Sequence, residues 1–326
     1  MKFKEYRIIL TCALFAVVSF RASAQQQIQL TQNMFNIMSY NPGYMGHRDA
    51  INILGTIRSQ WTGFGVDSVS TTKSSSKTRT SYAPVAYLIS ADLPITFLHG
   101  GVGINITSDN IGSFSNVTMN IGYAYQKVLV NGGKLGIGAQ LKIDNIVLDK
   151  NSLDPNAEDP LISNMNQNDF MADANLGVFY SKPNSLFAGI SVLNLLETKG
   201  KNTFYQEKRS FNALAGYEFR LTALPKIKFT PSLLLKTDLS TFQFDASILA
   251  TVNDKFWGGV NYRLDDGLGL IFGLSWKDLM ASFSYDIPMS KLIRGGNFGS
   301  FEVILGYGFK FNNNKGIKTQ KNTRYL

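Results

Sequence analysis

The residues able to do chemistry are few, and five of them fall within YNPGYMGHRDAINILGTIRSQWTG, residues 40–63: His47, Arg48, Asp49, Arg58 and Trp61. A histidine beside a carboxylate and an arginine is the raw material of general acid–base catalysis. The rest of the chain gives that reading little support. There are two histidines, His47 and His99, and one cysteine, Cys12, too few for a His/Cys metal site or a Cys–His pair. Composition leaves a single-histidine triad open, but no G-x-S-x-G elbow occurs and His99 falls in an expected tight turn. GGVGIN and GLGLIFGL are not phosphate loops, because no helix follows them and no Lys-Ser/Thr closes the motif. Glycines on an inward strand face instead make room.

A second set of candidates alternates along the chain: Lys142, Asp144, Glu218, Arg220, Lys228, Lys236, Asp245, Arg263, Lys277, Glu302 and Lys310. On a barrel wall such residues form a selective pore, a catalytic pair, or a lumen neutralised by paired charges. Both signs are interspersed and no single-sign ring stands out, which favours the neutralised lumen. The loop LDPNAEDPLISNMNQND, with Asp154, Glu158, Asp159 and Asp169, offers oxygen ligands for Ca²⁺ but not the EF-hand spacing. The Ser/Thr tract at 66–81 carries Lys73, Lys77 and Arg79 without interleaved aromatics, so it reads as a solvated loop and no nucleic-acid partner is expected.

The elements that must position these residues are strands. MKFKEYR, the apolar Ile8–Phe20 and the A-x-A site Ala22–Ala24 make a secretory leader with cleavage expected after Ala24. A lipoprotein alternative at Cys12 fits poorly, since Thr11 precedes it. Cleavage removes four cations and one anion, lowers the formal charge from +9 to +6, and discards the only cysteine. No stretch of 18 apolar residues follows, so no transmembrane helix is expected. Period-2 alternation instead recurs almost to the end. In 50–60, Ile51, Ile53, Gly55 and Ile57 alternate with Asn52, Leu54, Thr56 and Arg58, which turns Arg58 inward toward a lumen carboxylate. In the last strand Phe301, Val303, Leu305, Tyr307, Phe309 and Phe311 stand opposite Glu302, Gly306, Gly308 and Lys310.

About fourteen segments of roughly 8–15 residues follow this rule. A soluble β-sandwich or lectin-like domain also alternates, but its strands are shorter. Every second link is short, at 93–99, 131–133, 182–184, 221–225, 253–254 and 277–278. Links on the other side are mostly long, except near Asp238 and Asp265. Short turns on one rim, long loops on the other and an even strand count describe an all-β, outer-membrane barrel of about 14 antiparallel strands. The expected organisation is a leader (1–24), an N-terminal periplasmic or plug segment (25–49), a barrel (50–311) and a basic tail (312–326).

One resemblance is specific. QLTQNMFNIMSYNPGYMG followed by IRSQWTGFG resembles the start of the PorP/SprF family, outer-membrane proteins of the type IX secretion system of Bacteroidetes. Gln29, Gln32, Asn33, Met34, Phe35 and Asn36 match its first run, Tyr40–Gly46 its Y-N-P-(A/G)-Y-x-G run, and Arg58, Gln60, Trp61 and Gly63 its R-x-Q-W-x-G run. YAYQ (123–126), the EDP loop (Glu158, Asp159, Pro160) and FEVILGYGFKF (301–311) extend the likeness. Gly43 replaces the more usual Ala, and the basic tail runs past the final aromatic strand. The resemblance implies a non-enzymatic component that serves export of proteases or gliding adhesins carrying C-terminal signal domains. It also implies contact with the PorK/PorN ring, the PorL/PorM motor, secreted cargo and outer-membrane lipid. It brings no catalytic residue and no cofactor. Asn41, Pro42, Tyr44, Gly46, Arg58, Gln60, Trp61, Gly63, Asp159 and Pro160 are its candidate structural or partner-contact residues. The open alternatives are a porin or solute channel and a barrel-embedded hydrolase.

Overall fold

The computed structural model describes residues 28–48, 50–62, 83–148, 168–203, 205–289 and 299–310. The strands are β1 (Ala50–Ser59), β2 (Val85–Ile95), β3 (Gly100–Ile111), β4 (Phe114–Val128), β5 (Lys134–Leu148), β6 (Asn168–Ser181), β7 (Leu186–Leu193), β8 (Ser210–Tyr217), β9 (Phe219–Arg220), β10 (Ile227–Thr237), β11 (Phe242–Val252), β12 (Phe256–Arg263), β13 (Gly267–Trp276), β14 (Leu279–Pro288) and β15 (Ser300–Lys310). Consecutive strands pair antiparallel, β15 returns to β1, and β10 joins β11, so the sheet closes on itself. β8 and β9 both pair with β10 and form one barrel strand broken at Glu218, which makes fourteen strands around the wall.

The alternation sets which face meets which medium. On β1, Asn52, Leu54, Thr56 and Arg58 are buried, while Ile53 and Ile57 are exposed on the outside. Glu302 and Ile304 point inward on β15 between exposed Val303, Leu305, Tyr307 and Phe309. The outer surface is thus an apolar band of Ile, Leu, Val and aromatic side chains around the barrel. Hydrocarbon is the medium that tolerates such a band, and closure leaves no strand edge to be paired. Among the described residues no helix is long and apolar enough to cross a membrane.

The rims differ as expected, with one addition. Connections at 96–99, 129–133, 182–185, 221–226, 253–255 and 277–278 make the short rim. On the other rim the β3–β4 turn is also short, only Gly112 and Ser113, besides the β10–β11 and β12–β13 turns. Gly112 there takes a positive φ that suits a two-residue reversal.

The apolar core lies inside the barrel. Residues 28–48 run through the lumen as three short 3-10 turns, Asn33–Phe35, Ile37–Ser39 and Pro42–Tyr44. Leu30, Ile37, Met38, Tyr40, Tyr44 and Met45 pack with Leu88, Ala124, Phe179, Phe187, Leu214 and Leu234 of the wall. Met34 and Phe35 pack with Leu54, Leu249, Trp257, Ile271, Met280 and Ile304. Each large side chain among them contributes about 1.5–3 kcal/mol by leaving water, so the segment is bound to the inward wall through two hydrophobic clusters.

Candidate functional site: the lumen and its N-terminal segment

The lumen is organised as two anchorages for the N-terminal segment, one near each rim. Near the long-loop rim, register places Arg58 of β1 directly opposite Glu302 of β15. The Arg58 guanidinium pairs with Asp286 of β14 at 2.8 Å and with Glu302 at 3.1 Å. Both carboxylates also reach the segment. Glu302 accepts from the backbone N–H of Thr31 (2.9 Å) and of Gln32 (3.0 Å). The Thr31 hydroxyl donates to Asp286 at 2.6 Å and accepts from Arg58 at 2.9 Å. The Gln32 side chain is held by the Ser282 hydroxyl.

Beside this clamp, Arg263 of β12 pairs with Asp245 opposite it on β11 (3.3 Å) and with Asp266 (2.7 Å). Asn33 donates to Asp245, and Gln29 to Gln243. Ions this deep require pairing and hydrogen bonds to offset lost hydration. The clamp supplies both, with backbone N–H groups on the remaining carboxylate lone pairs.

Near the short-turn rim the anchorage is a fit of backbones. Gly43 lies against Gly136, Gly177 and Phe179, where a Cβ would come within 2.8 Å of the Gly136 carbonyl. A Cβ on Gly101 would overlap the Gly46 backbone, and one on Gly138 would overlap Pro42. Inward glycines of β3, β5 and β6 therefore make room for the segment itself. Gly46, at φ 63°, takes the left-handed turn that a Cβ disfavours.

Hydrogen bonds, most of them to uncharged groups, complete the seat. Asn41 caps the Pro42–Tyr44 turn through Gly43 N–H (2.8 Å) and donates to the carbonyls of Val178 (2.9 Å) and Ile190 (3.1 Å). Those two residues face each other across β6 and β7. The Tyr40 carbonyl accepts from Ser191 and Asn212, and the Gly46 N–H donates to Asp92 at 3.0 Å. Gln126 of the YAYQ run donates to the Met45 carbonyl. The Tyr44 and His47 rings both meet Phe179 edge-on, at 5.0 and 4.9 Å.

The clustered residues of 40–63 are therefore divided. His47 hydrogen-bonds Ser181 at 2.6 Å, and Arg48 donates to the Tyr44 hydroxyl and the Phe35 carbonyl, all at the seat. Arg58 belongs to the clamp, eight residues beyond Ala50 along β1, about 26 Å at roughly 3.3 Å per residue. Gln60 N–H donates to the Pro84 carbonyl and Trp61 N–H to Ser300, so both finish β1 at the long-loop rim. Asp49, Gly63, Asp159 and Pro160 lie outside the described residues. His99 sits in the β2–β3 turn with left-handed φ of 53°.

Of the alternating charges, Lys142, Asp144, Glu218, Lys228, Lys236, Asp245, Arg263 and Glu302 line the interior, buried or nearly so. Two do not. Lys277 is exposed in the β13–β14 turn, its ammonium over the Trp276 ring, because the strand ends one residue before it. Arg220 ends β9 and forms a half-exposed rim pair with Asp254 at 2.7 Å. The side chain of Lys310 falls outside the described ones.

Sequence reading overlooked Asp286, Asp92 and Asp173, although alternation on β14, β2 and β6 would have placed them inward. Glu207 gave no such signal. It lies in the β7–β8 connection, which folds inward to ion-pair with Lys142. Burial drives the Glu207 carboxyl above the usual range, and the Lys142 cation opposes this only in part. Asp169, considered for Ca²⁺, accepts instead from the backbone N–H groups of Lys201, Asn202 and Thr203 and from the Thr203 hydroxyl. The rest of that acidic loop lies outside the described residues. Among the described residues no group of three His, Cys, Asp or Glu side chains is placed to hold a metal ion.

The family model for type IX secretion system membrane protein PorP/SprF matches residues 22–307. A comparison with curated proteins finds no match. Among solved structures, the chain is similar to the deltaS2S3 mutant of TodX, a monoaromatic hydrocarbon channel, with a TM-score of 0.51 and 9% identity over 90% of this chain and 97% of that one. It is also similar to the toluene transporter TbuX of Ralstonia pickettii, with a TM-score of 0.50 and 9% identity over 87% and 94%. At such identity the likeness establishes the barrel fold alone.

Proposed function

The chain belongs to the PorP/SprF family of type IX secretion system membrane proteins, and from that membership we propose that it is required for export or surface assembly of cargo with C-terminal signal domains. In this reading residues 25–49 plug the barrel of residues 50–311. The short turns and the 312–326 tail face the periplasm and meet the PorK/PorN ring and PorL/PorM motor, while the long loops meet cargo outside. The family's gliding and protease-export roles in Bacteroidetes make adhesins or proteases the cargo classes to examine. No step of bond making is assigned to any residue.

One observation carries the reading. Of the residues that carry the family resemblance, Asn41 to Gly46 and Arg58 hold the N-terminal segment in the lumen, while Gln60 and Trp61 finish β1 at the long-loop rim. A barrel whose identifying residues close its own interior suits a docking platform better than a conduit. Deleting the chain in its own bacterium and following secretion of a cargo with a C-terminal signal domain tests this. Cargo retained in the periplasm is expected; unchanged export overturns the proposal. Protease treatment of intact cells tests the orientation, with cleavage confined to the long loops expected and cleavage confined to the short turns contradicting it.

A further inference from the structure

The N-terminal segment does not fill the lumen evenly. Between it and the β3–β5 wall lies a cavity of about 110 Å³, bounded by Tyr40 of the segment and by Asn194, Tyr205 and Glu207 of the inward-folded β7–β8 connection. That is several times the space one water needs. Register builds its wall as three polar rungs across β3 and β4: Asn105 opposite Asn120, Thr107 opposite Thr118, and Asp109 opposite Asn116.

Two of these groups have bonding capacity in reserve. Asn116 Oδ1 is buried with no hydrogen-bond partner among the described residues. Asp109 lines the same cavity and takes part in no ion pair among the described residues. The one lining cation, Lys142, is already committed to Glu207, to Asp144 at 3.2 Å and to Asn194 at 2.9 Å. An anion would meet Asp109 and Glu207 with like charge. Most lining carboxamides and hydroxyls are already bonded, Asn105 to Ser39, Thr107 to Asn105, Thr118 to Asp144 and Asn120 to Asn175, but a hydrocarbon would leave Asn116 Oδ1 and the Asp109 carboxylate unsatisfied. A bare cation would use the oxygens but face the amide N–H donors. Hydroxyl groups both donate and accept, as carboxamides do, and Leu88 and Leu193 offer apolar surface to C–H faces.

We propose that this cavity binds a single sugar ring, free or as the end of a glycan. The site is independent of the cargo-export reading. Saturation-transfer NMR on the purified full chain in detergent tests it, using D-glucose, D-galactose and N-acetyl-D-glucosamine as probes, with maltotriose to distinguish a chain end from a free ring. At least one monosaccharide should give a saturable signal with millimolar affinity. Asp109→Ala and Asn120→Leu, each checked for an intact folded barrel by heat-modifiable gel mobility, should each weaken it at least fivefold. Absence of a saturable signal from every sugar overturns the proposal, as does equal binding by both variants. Binding of putrescine in place of any sugar overturns it in favour of a cation site.

Discussion

The two ends of the N-terminal segment are held by different physics. At the long-loop end Thr31 and Gln32 are gripped by an Arg58–Asp286–Glu302 triad buried among the strands. At the short-turn end Asn41 to His47 lie on a glycine floor and bond mostly to uncharged groups. The clamp depends on every charge having its partner; the seat depends on nothing occupying the space of the missing Cβ atoms. Loss of one partner should therefore cost more at the clamp, and neutralising all partners together should cost less. No such rescue exists for a steric clash.

Arg58→Met breaks the comparison at its most sensitive point. It leaves Asp286 and Glu302 buried without their cation, and a loss of about 3–5 kcal/mol is expected from urea unfolding in detergent micelles. Adding Asp286→Asn and Glu302→Gln to that variant should restore a good part of the loss, because the uncompensated charges are gone. Gly101→Val should cost about 1–3 kcal/mol by forcing the Gly46 backbone away. It should also make residues 40–48 accessible to protease, with no rescue from charge changes. Asn41→Ala removes the turn cap and two donations to β6 and β7, for about 1–2 kcal/mol by the same unfolding measurement.

The smallest effect lies outside both anchorages. In the β10–β11 turn Asp238 is slightly buried, which opposes ionisation, yet bonds from the Thr241 hydroxyl and the N–H groups of Thr241 and Ser240 hold its carboxyl below the usual range. A depressed acid contributes stability above its unfolded value of about 3.9 and loses it as pH falls through the folded value. Asp238→Asn should be slightly destabilised near neutral pH, and the gap from the parent should close in acid.

The wall was legible in the sequence because alternation has a fixed period and lipid enforces it. Ile53, Ile57 and Arg58 fell on their faces by counting alone, and the short turns marked one rim. Lys277 and Arg220 were misplaced because alternation does not announce where a strand stops. The route of the segment was harder to read. From Leu30 to Arg48 every residue except Ser39 is buried, polar and apolar alike, so no amphipathic face marks its path, and three 3-10 turns carry it. Inward glycines showed that space was kept, but not that Gly43 and Gly46 would take it. Glu207 was invisible, because its role depends on a loop folding back into the lumen.

Planar-bilayer conductance of the purified chain tests most directly whether the segment closes the barrel. The full chain should insert silently, without steady channel steps, and a variant combining Arg58→Met with Gly101→Val should show them. Open steps of equal size from the full chain and the variant would contradict a lumen closed by residues 28–48.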